Sequence, residues 1–199
     1  MRIFLVRHAM SQWQADHGAG LDSELSPLGL VQAEHLARWA VTRPWLGPGQ
    51  RFDPDRMFVS PLRRAQQTAE VLENSLGLRS EVCEHLAEPP FSVETLLPTP
   101  EGPLRPRLAT PADIRYAGVH RRAKRALEVL VEAAKDSSGG VVVVGHAGLL
   151  RTMVRYLVDS DIVCFGLFNT ALIGLEWTDA RWRLSQVNLC EHLPAELRT

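Results

Sequence analysis

Two short stretches put residues of reactive type at places where an α/β fold builds its sites. In Arg2-Ile-Phe-Leu-Val-Arg-His-Ala9, the four apolar residues Ile3 to Val6 have the length and composition of a fully buried strand, and they end on Arg7-His8. A guanidinium grips an oxyanion through its planar fork, and an imidazole is a nucleophile or proton carrier near neutral pH. Ligand crevices of α/β proteins lie outside the carboxyl ends of parallel strands, where this pair would emerge. Taken alone, Arg7-His8 reads equally well as a surface arginine beside a stray histidine. A second stretch breaks the tie. Val141-Val-Val-Val-Gly-His146-Ala-Gly-Leu-Leu-Arg151 repeats the plan: an apolar β-branched run, a histidine, then small residues opening a helix. If the two strands are parallel neighbours, both imidazoles leave one edge of the sheet, a coincidence that core packing does not explain.

The elements that must hold these residues follow from the rest of the pattern. After a short polar and aromatic turn, Ala9 to Gln14, Ser26-Pro27 reads as N-cap and N1 of a helix. Its apolar stripe is Leu30, Ala33, Ala37 and Ala40, and Pro44 stops it. Pro44 to Pro54 is a surface connection. Arg56 to Val59 is a brief strand, and Ser60-Pro61 caps a helix with the stripe Leu62, Ala65, Ala69, Leu72 and Leu76, with Gly77 at C′. Arg79 to Leu86 is a further strand candidate. Glu88 to Ala112 holds seven prolines, so it is not regular helix, and loops of that length are commonly lids or binding loops. Val119 to Ala134 is a long amphipathic helix, Leu150 to Leu157 another. Thr170 to Trp177 and Arg181 to Val187 form an antiparallel pair, followed by a polar tail expected to fray. The alternation predicts an α/β fold: three layers, a mainly parallel sheet with helices on both faces, and an antiparallel C-terminal strand pair. Residues 1–199 are expected to form one domain, with a Pro-rich cap at about 88–112.

The chain has 199 residues, 45% hydrophobic and 23% charged, with a formal net charge of -1. That size suits one domain with a sizeable core, and the charge balance argues against a nucleic-acid-binding or membrane-binding surface. Three widely spaced cysteines without a CxxC make a disulfide framework unexpected. Neither a signal peptide nor a run of transmembrane length is evident, so a cytoplasmic location is expected.

Several of these stretches together resemble the histidine phosphatase superfamily, also called phosphoglycerate-mutase-like. Leu5-Val-Arg-His8 is similar to its nucleophile motif and Leu25-Ser-Pro-Leu-Gly29 with Gln32-Ala33 to its following helix start. Ser60-Pro-Leu-Arg-Arg-Ala65 with Gln67-Thr-Ala69 is similar to its second motif. Leu86-Ala-Glu88 stands where the family has its proton donor, and Val144-Gly-His146 where it has its second histidine. Asn169-Thr170, Leu175-Glu-Trp177, Asn188 and His192-Leu193 resemble its closing strands.

The resemblance implies a phosphomonoester hydrolase acting on a small phosphorylated metabolite, with His8 as nucleophile forming a phosphohistidine. Nearby arginines disfavour imidazolium and would keep that nucleophile available. Arg7 and one of Arg63 or Arg64 would hold the phosphoryl group. Periodicity does not choose between the last two; the resemblance picks Arg64. Glu88 would be the proton donor, and His146 would hold the phosphoryl group as a hydrogen-bond donor. Ser11, Gln14 and Ala147 would line the phosphate pocket. No metal and no cofactor are implied, and the sequence has no HExxH motif. His17, His35, His85 and His120 receive no role, and His192 is expected to serve structure.

The pattern also departs from the family. Ala9-Met10 replaces the Gly-Glu or similar pair common after the histidine, and Pro89-Pro-Phe-Ser-Val-Glu94 replaces a Gly-x-x-Glu-Gly segment. Substrate preference lives there and does not transfer. Arg105 and Arg107 would meet a second anionic group on the substrate, or else are solvated surface residues. The chain is shorter than cofactor-dependent mutases, which favours phosphatase over the alternative of a phosphoglycerate mutase-type phosphoryl transferase. A non-catalytic protein that binds phosphorylated ligands is the rival of a different class.

Overall fold

Alternate residues of the first apolar run go to opposite sides of one sheet, and the two halves of the core grow from them. The computed structural model describes residues 1–17, 19–47, 50–108 and 113–199, and of 105–108 the backbone only. In chain order the elements are β1 (Arg2–Arg7), α1 (Gln12–Ala15), α2 (Pro27–Val41), a β2–β3 hairpin (Trp45–Gly47, Gln50–Arg51), β4 (Arg56–Val59), α3 (Arg63–Leu76) and β5 (Ser80–Val82). They continue with a β6–β7 hairpin (Pro100–Gly102, Arg105–Leu108), α4 (Ile114–Lys135), β8 (Val141–Gly145), α5 (Ala147–Val158), β9 (Leu172–Thr178) and β10 (Arg181–Leu189). The main sheet has the order β10-β9-β1-β8-β4-β5. Strands β1, β8, β4 and β5 run parallel, while β9 pairs antiparallel with both β1 and β10.

Ile3, Leu5, Val141 and Val143 face α4 and α5, packing on Val119, Ala123, Leu130, Leu149 and Met153. Phe4, Val6, Val142 and Val144 face α2 and α3, packing on Leu36, Ala37, Ala40, Ala69 and Leu72. The central strands are apolar on both faces because both are covered, as parallel sheets require. The expected three-layer α/β/α arrangement with its antiparallel C-terminal pair is the observed one. No helix among the described residues is long and apolar enough to cross a membrane.

Several local expectations are corrected. Ser60-Pro61 does not cap α3, which starts at Arg63 with Leu62 at the N-cap and no side-chain cap. Ser60 is instead fully buried, its hydroxyl 2.7 Å from His146 Nε2. Gly77 does end that helix, in the left-handed region at φ 69° that glycine adopts without strain. In α2 the expected Ala33, Ala37 and Ala40 are buried, but Leu30 is exposed, and Gly29 and Leu36 complete the buried face. Gln32 is buried on that face because its amide is fully engaged, accepting from Met10 N and donating to Leu197 O and Thr199 Oγ1.

The stretch from Pro44 to Pro54 is more than a surface connection, since Phe52 is fully buried against Phe4 and Trp39. Of Arg79 to Leu86, only Ser80–Val82 is strand, and Glu84–Leu86 is a 3-10 turn. The tail does not fray: Leu193 is buried, and the Asn169 N–H donates to Thr199 O at 2.8 Å. The Pro-rich stretch contains a 3-10 turn at Glu94–Leu96 and the β6–β7 hairpin. Residues 109–112 of that stretch and the side chains of Arg105 and Arg107 lie outside the described residues.

Candidate active site

The parallel register of β1 and β8 decides where the two histidines go. Arg7 pairs with Gly145 and the His8 N–H donates to Gly145 O at 2.9 Å, so both chains leave the sheet at one level. His8 and His146 are both buried, with ring centroids 4.9 Å apart.

Three bonds hold His8, two of them on its ring. Its Nδ1–H donates to Ala9 O at 2.6 Å, because a carbonyl only accepts. Arg64 Nε–H donates to His8 Nε2 at 3.1 Å, so Nε2 carries a lone pair. Asn169 Nδ2 donates to His8 O at 2.8 Å and fixes the backbone. Together these describe a neutral ring with its basic nitrogen turned to Arg64. Burial, then His146, Arg7 and Arg64, hold the His8 pKa well below the usual imidazole value. His146 is lowered likewise, by burial and then by Arg64 and Arg7.

The arginines come from different elements. Arg7, at the end of β1, donates through Nη1 to Leu167 O at 2.6 Å, while its buried Nε has no protein partner among the described residues. Burial, then repulsion from Arg151, lowers its pKa to about 10, which leaves it charged at neutral pH. Arg64 sits in the first turn of α3 and also donates to Leu21 O at 2.6 Å. Arg63, its neighbour, points the other way. It is exposed and pairs with Glu24 at 3.2 Å. Of the two arginines that periodicity left open, Arg64 meets His8 and Arg63 does not.

Glu88 reaches the same place from the Pro-rich segment. Its Oε1 accepts the Gly148 N–H at 2.9 Å and its Oε2 the Leu149 N–H at 3.0 Å, both free donors in the first turn of α5. Those amides and Arg64 favour the carboxylate, but burial outweighs them and raises the Glu88 pKa. A side chain on residue 148 has no room: its Cβ would stand 2.5 Å from Glu88 Oε1.

Arg7, His8, Ser11, Gln14, Arg64, Glu88, His146 and Ala147 all line one pocket of about 620 Å³. Ser11 and Gln14 contribute differently from the rest. Ser11 caps α1 in a capping box with Gln14, and Gln14 exchanges hydrogen bonds with Asn169, so both side chains brace the wall. Sequence reasoning read Ser60 only as a helix cap and Asn169 only as part of the closing strands, and placed neither in the site, where Ser60 fixes His146 and Asn169 holds His8 and Gln14. It gave no role to Glu94, which lines the pocket and pairs with Arg151 at 2.8 Å. The invisible signal was distance: each of these partners lies far along the chain from the residue it holds. With two guanidinium groups, two neutral imidazoles and a carboxyl of raised pKa, the pocket can bind a tetrahedral oxyanion, present a nitrogen lone pair to it and deliver a proton.

The model of the histidine phosphatase superfamily (branch 1) matches residues 3–189. The chain belongs to that superfamily. The chain is 38% identical over 92 residues to the putative phosphoserine phosphatase 2 of Hydrogenobacter thermophilus, a match spanning 45% of this chain and 41% of that relative. Its fold is similar to the phosphoserine phosphatase of Entamoeba histolytica in complex with 3-phosphoglyceric acid, with a TM-score of 0.72 at 21% identity, covering 97% and 99% of the two chains. It is also similar to the mycobacterial glucosyl-3-phosphoglycerate phosphatase in complex with inorganic phosphate, with a TM-score of 0.70 at 23% identity and coverage of 97% and 99%.

Proposed function

We propose that this chain is a metal-independent phosphomonoesterase acting on a small phosphorylated metabolite through a phosphohistidine on His8. The observation that carries the reading is the His8 ring itself: Nδ1–H tied to Ala9 O, and Nε2 presenting its lone pair beside Arg64. In this reading Arg7 and Arg64 take the non-bridging oxygens of the phosphoryl group, supplying positive charge as a metal ion does elsewhere. His8 Nε2 attacks phosphorus and the ester P–O bond breaks. The Ala9 carbonyl stabilises the positive charge that grows on the ring. Glu88 gives its proton to the leaving alkoxide oxygen. Its carboxylate then takes a proton from a water that attacks the phosphohistidine, releasing inorganic phosphate and restoring His8.

His146 is the remaining donor. Ser60 Oγ accepts the Leu62 N–H, so its own proton is available to His146 Nε2, which leaves the ring proton on Nδ1, unpartnered among the described residues. Residues 1–199 work in this reading as one domain, with the start of the Pro-rich segment, Glu88 to Glu94, as a cap over the pocket. Relatives named for phosphoserine and for glucosyl-3-phosphoglycerate agree with a small phosphorylated substrate.

The test is trapping of the intermediate. Wild type quenched during turnover of p-nitrophenyl phosphate yields a phosphoenzyme that is labile to acid and survives base, and EDTA leaves the rate unchanged. His8→Ala yields neither phosphoenzyme nor turnover. Loss of activity on chelation, restored by one added metal, overturns the mechanism. Phosphoglycerate interconversion on adding 2,3-bisphosphoglycerate, faster than hydrolysis, replaces phosphatase by mutase.

A further inference from the structure

The arch that carries Glu88 is held at both ends by one helix. Its near end is the Glu88 carboxylate on the Gly148 and Leu149 amides, and Arg122 from α4 donates to Ala87 O at 2.9 Å behind it. Val93, fully buried, lies over Gly148: a Cβ there would meet its Cγ2 at 2.8 Å. The far end is Glu94. Its Oε1 lies 2.8 Å from Arg151 Nη1 and 3.7 Å from Arg155 Nη2. Gly148 and Arg151 are three residues apart, about 4.5 Å along the helix axis. Seven residues therefore span a short distance, and the intervening Pro89, Pro90, Phe91 and Ser92 line the pocket.

The far anchor is unlike an ordinary surface ion pair. Arg155 is 1% exposed and the Arg151 side chain 18%. Arg151 Nε and Arg155 Nη1 are buried without a partner among the described residues, and Glu94 is the carboxylate that lies within 4 Å of both guanidinium groups there. A partly buried pair of this kind is a poor source of stability but fixes geometry, since breaking it strands a charge. We propose that Arg151, through Glu94, is a positioning residue: it closes the arch and so holds the Glu88 carboxyl where a leaving oxygen needs its proton. The inference rests on the acid role of Glu88 proposed above. It also makes Pro89-Pro90 intelligible, because stiff residues transmit the far anchor to Glu88 rather than absorbing its loss.

A misplaced acid hurts only those esters that need the proton. Arg151→Met, which keeps the apolar stem, is expected to lower kcat for glycerol 3-phosphate about tenfold or more while p-nitrophenyl phosphate stays within about threefold. KM for both esters should hold, and Arg151→Lys should recover most of the loss. Glu94→Asp, which keeps the charge and shortens the reach, carries the same expectation and stands in if Arg151→Met does not fold. Equal losses for both esters, or none, overturn the proposal. Glu88→Gln is the reference. If it fails to separate the two esters, the acid assignment itself falls; if it separates them and the Arg151 and Glu94 variants do not, only the clamp falls.

Discussion

Gly148→Ala isolates the contact between Glu88 and α5 without replacing any side chain that lines the pocket. Residue 148 lies in an α-helix outside the left-handed region, so alanine meets no backbone strain there. The difficulty is space alone, with the new Cβ 2.5 Å from Glu88 Oε1 and 2.8 Å from Val93 Cγ2. The carboxylate is the freer of the two to move, and moving it breaks both amide bonds. Overpacking of this kind costs about 1–3 kcal/mol, and each charge-assisted bond lost costs about 1.5–3 kcal/mol before water replaces it. Alanine returns at most about 1 kcal/mol over glycine in a helix. A net loss of about 2 kcal/mol lowers the melting temperature by roughly 4–8 °C for a chain of this size, leaving the protein folded at assay temperature. General acid catalysis contributes about 10²–10⁴-fold, so the ratio of kcat for glycerol 3-phosphate to that for p-nitrophenyl phosphate should fall by at least about thirtyfold. Both esters are assayed on one preparation, with calorimetry alongside. A melting temperature that falls as expected with an unchanged ratio refutes the reasoning: the carboxyl would have been displaced with no consequence for proton delivery.

Two further outcomes are expected. Arg64→Ala should reduce kcat/KM by about 10²-fold or more, as loss of an oxyanion donor does, while exposed Arg63→Ala stays within about twofold; the opposite ranking refutes the assignment. His192 is buried, and its pKa is lowered to about 4 by burial first, then by His35 and Arg198. A histidine whose folded pKa is depressed contributes stability that is present above the unfolded value near 6.5 and is lost as pH falls towards the folded value, here about 3 kcal/mol in all. Urea unfolding between pH 7 and 4 should show that loss, and His192→Gln should flatten it; parallel curves for the two proteins rule it out.

What sequence periodicity could and could not reveal follows from the range of the interactions. The strands β1, β4 and β8 and helices α3, α4 and α5 are local patterns, and each is recognisable because burial repeats with the period of its own backbone. The errors fall where a distant partner overrides local chemistry. Ser60 has the right residue type for an N-cap, but His146, 86 residues away, takes its hydroxyl. Leu30 looks like core until Gln32, with a full set of partners in the tail and at Met10, takes the buried face instead. The C-terminal residues read as fraying because they are polar, yet their polar atoms meet Gln32 and Asn169 inside the fold. In each case the sequence shows a polar group and hides whether it has a partner, and the partner decides burial.

The site obeys the same division. Residue type and strand-end position suffice to single out Arg7, His8 and His146, because a parallel sheet presents the ends of neighbouring strands together. They do not suffice to say which of two adjacent arginines faces inward, since Arg63 and Arg64 share one helical turn and differ by about 100° of rotation. That angle separates a guanidinium on His8 from one on Glu24. Nor do they reveal that Glu88 is bound to the helix that His146 caps. Its carboxyl and the His146 ring are therefore referenced to one rigid element, and His8 is referenced to it through the β1–β8 register. Any displacement of α5 moves the Glu88 carboxyl and the His146 ring together while their spacing persists. A displacement of the arch moves the acid alone, so sensitivity to leaving group should concentrate in variants of residues 88–94 and of their α5 anchors.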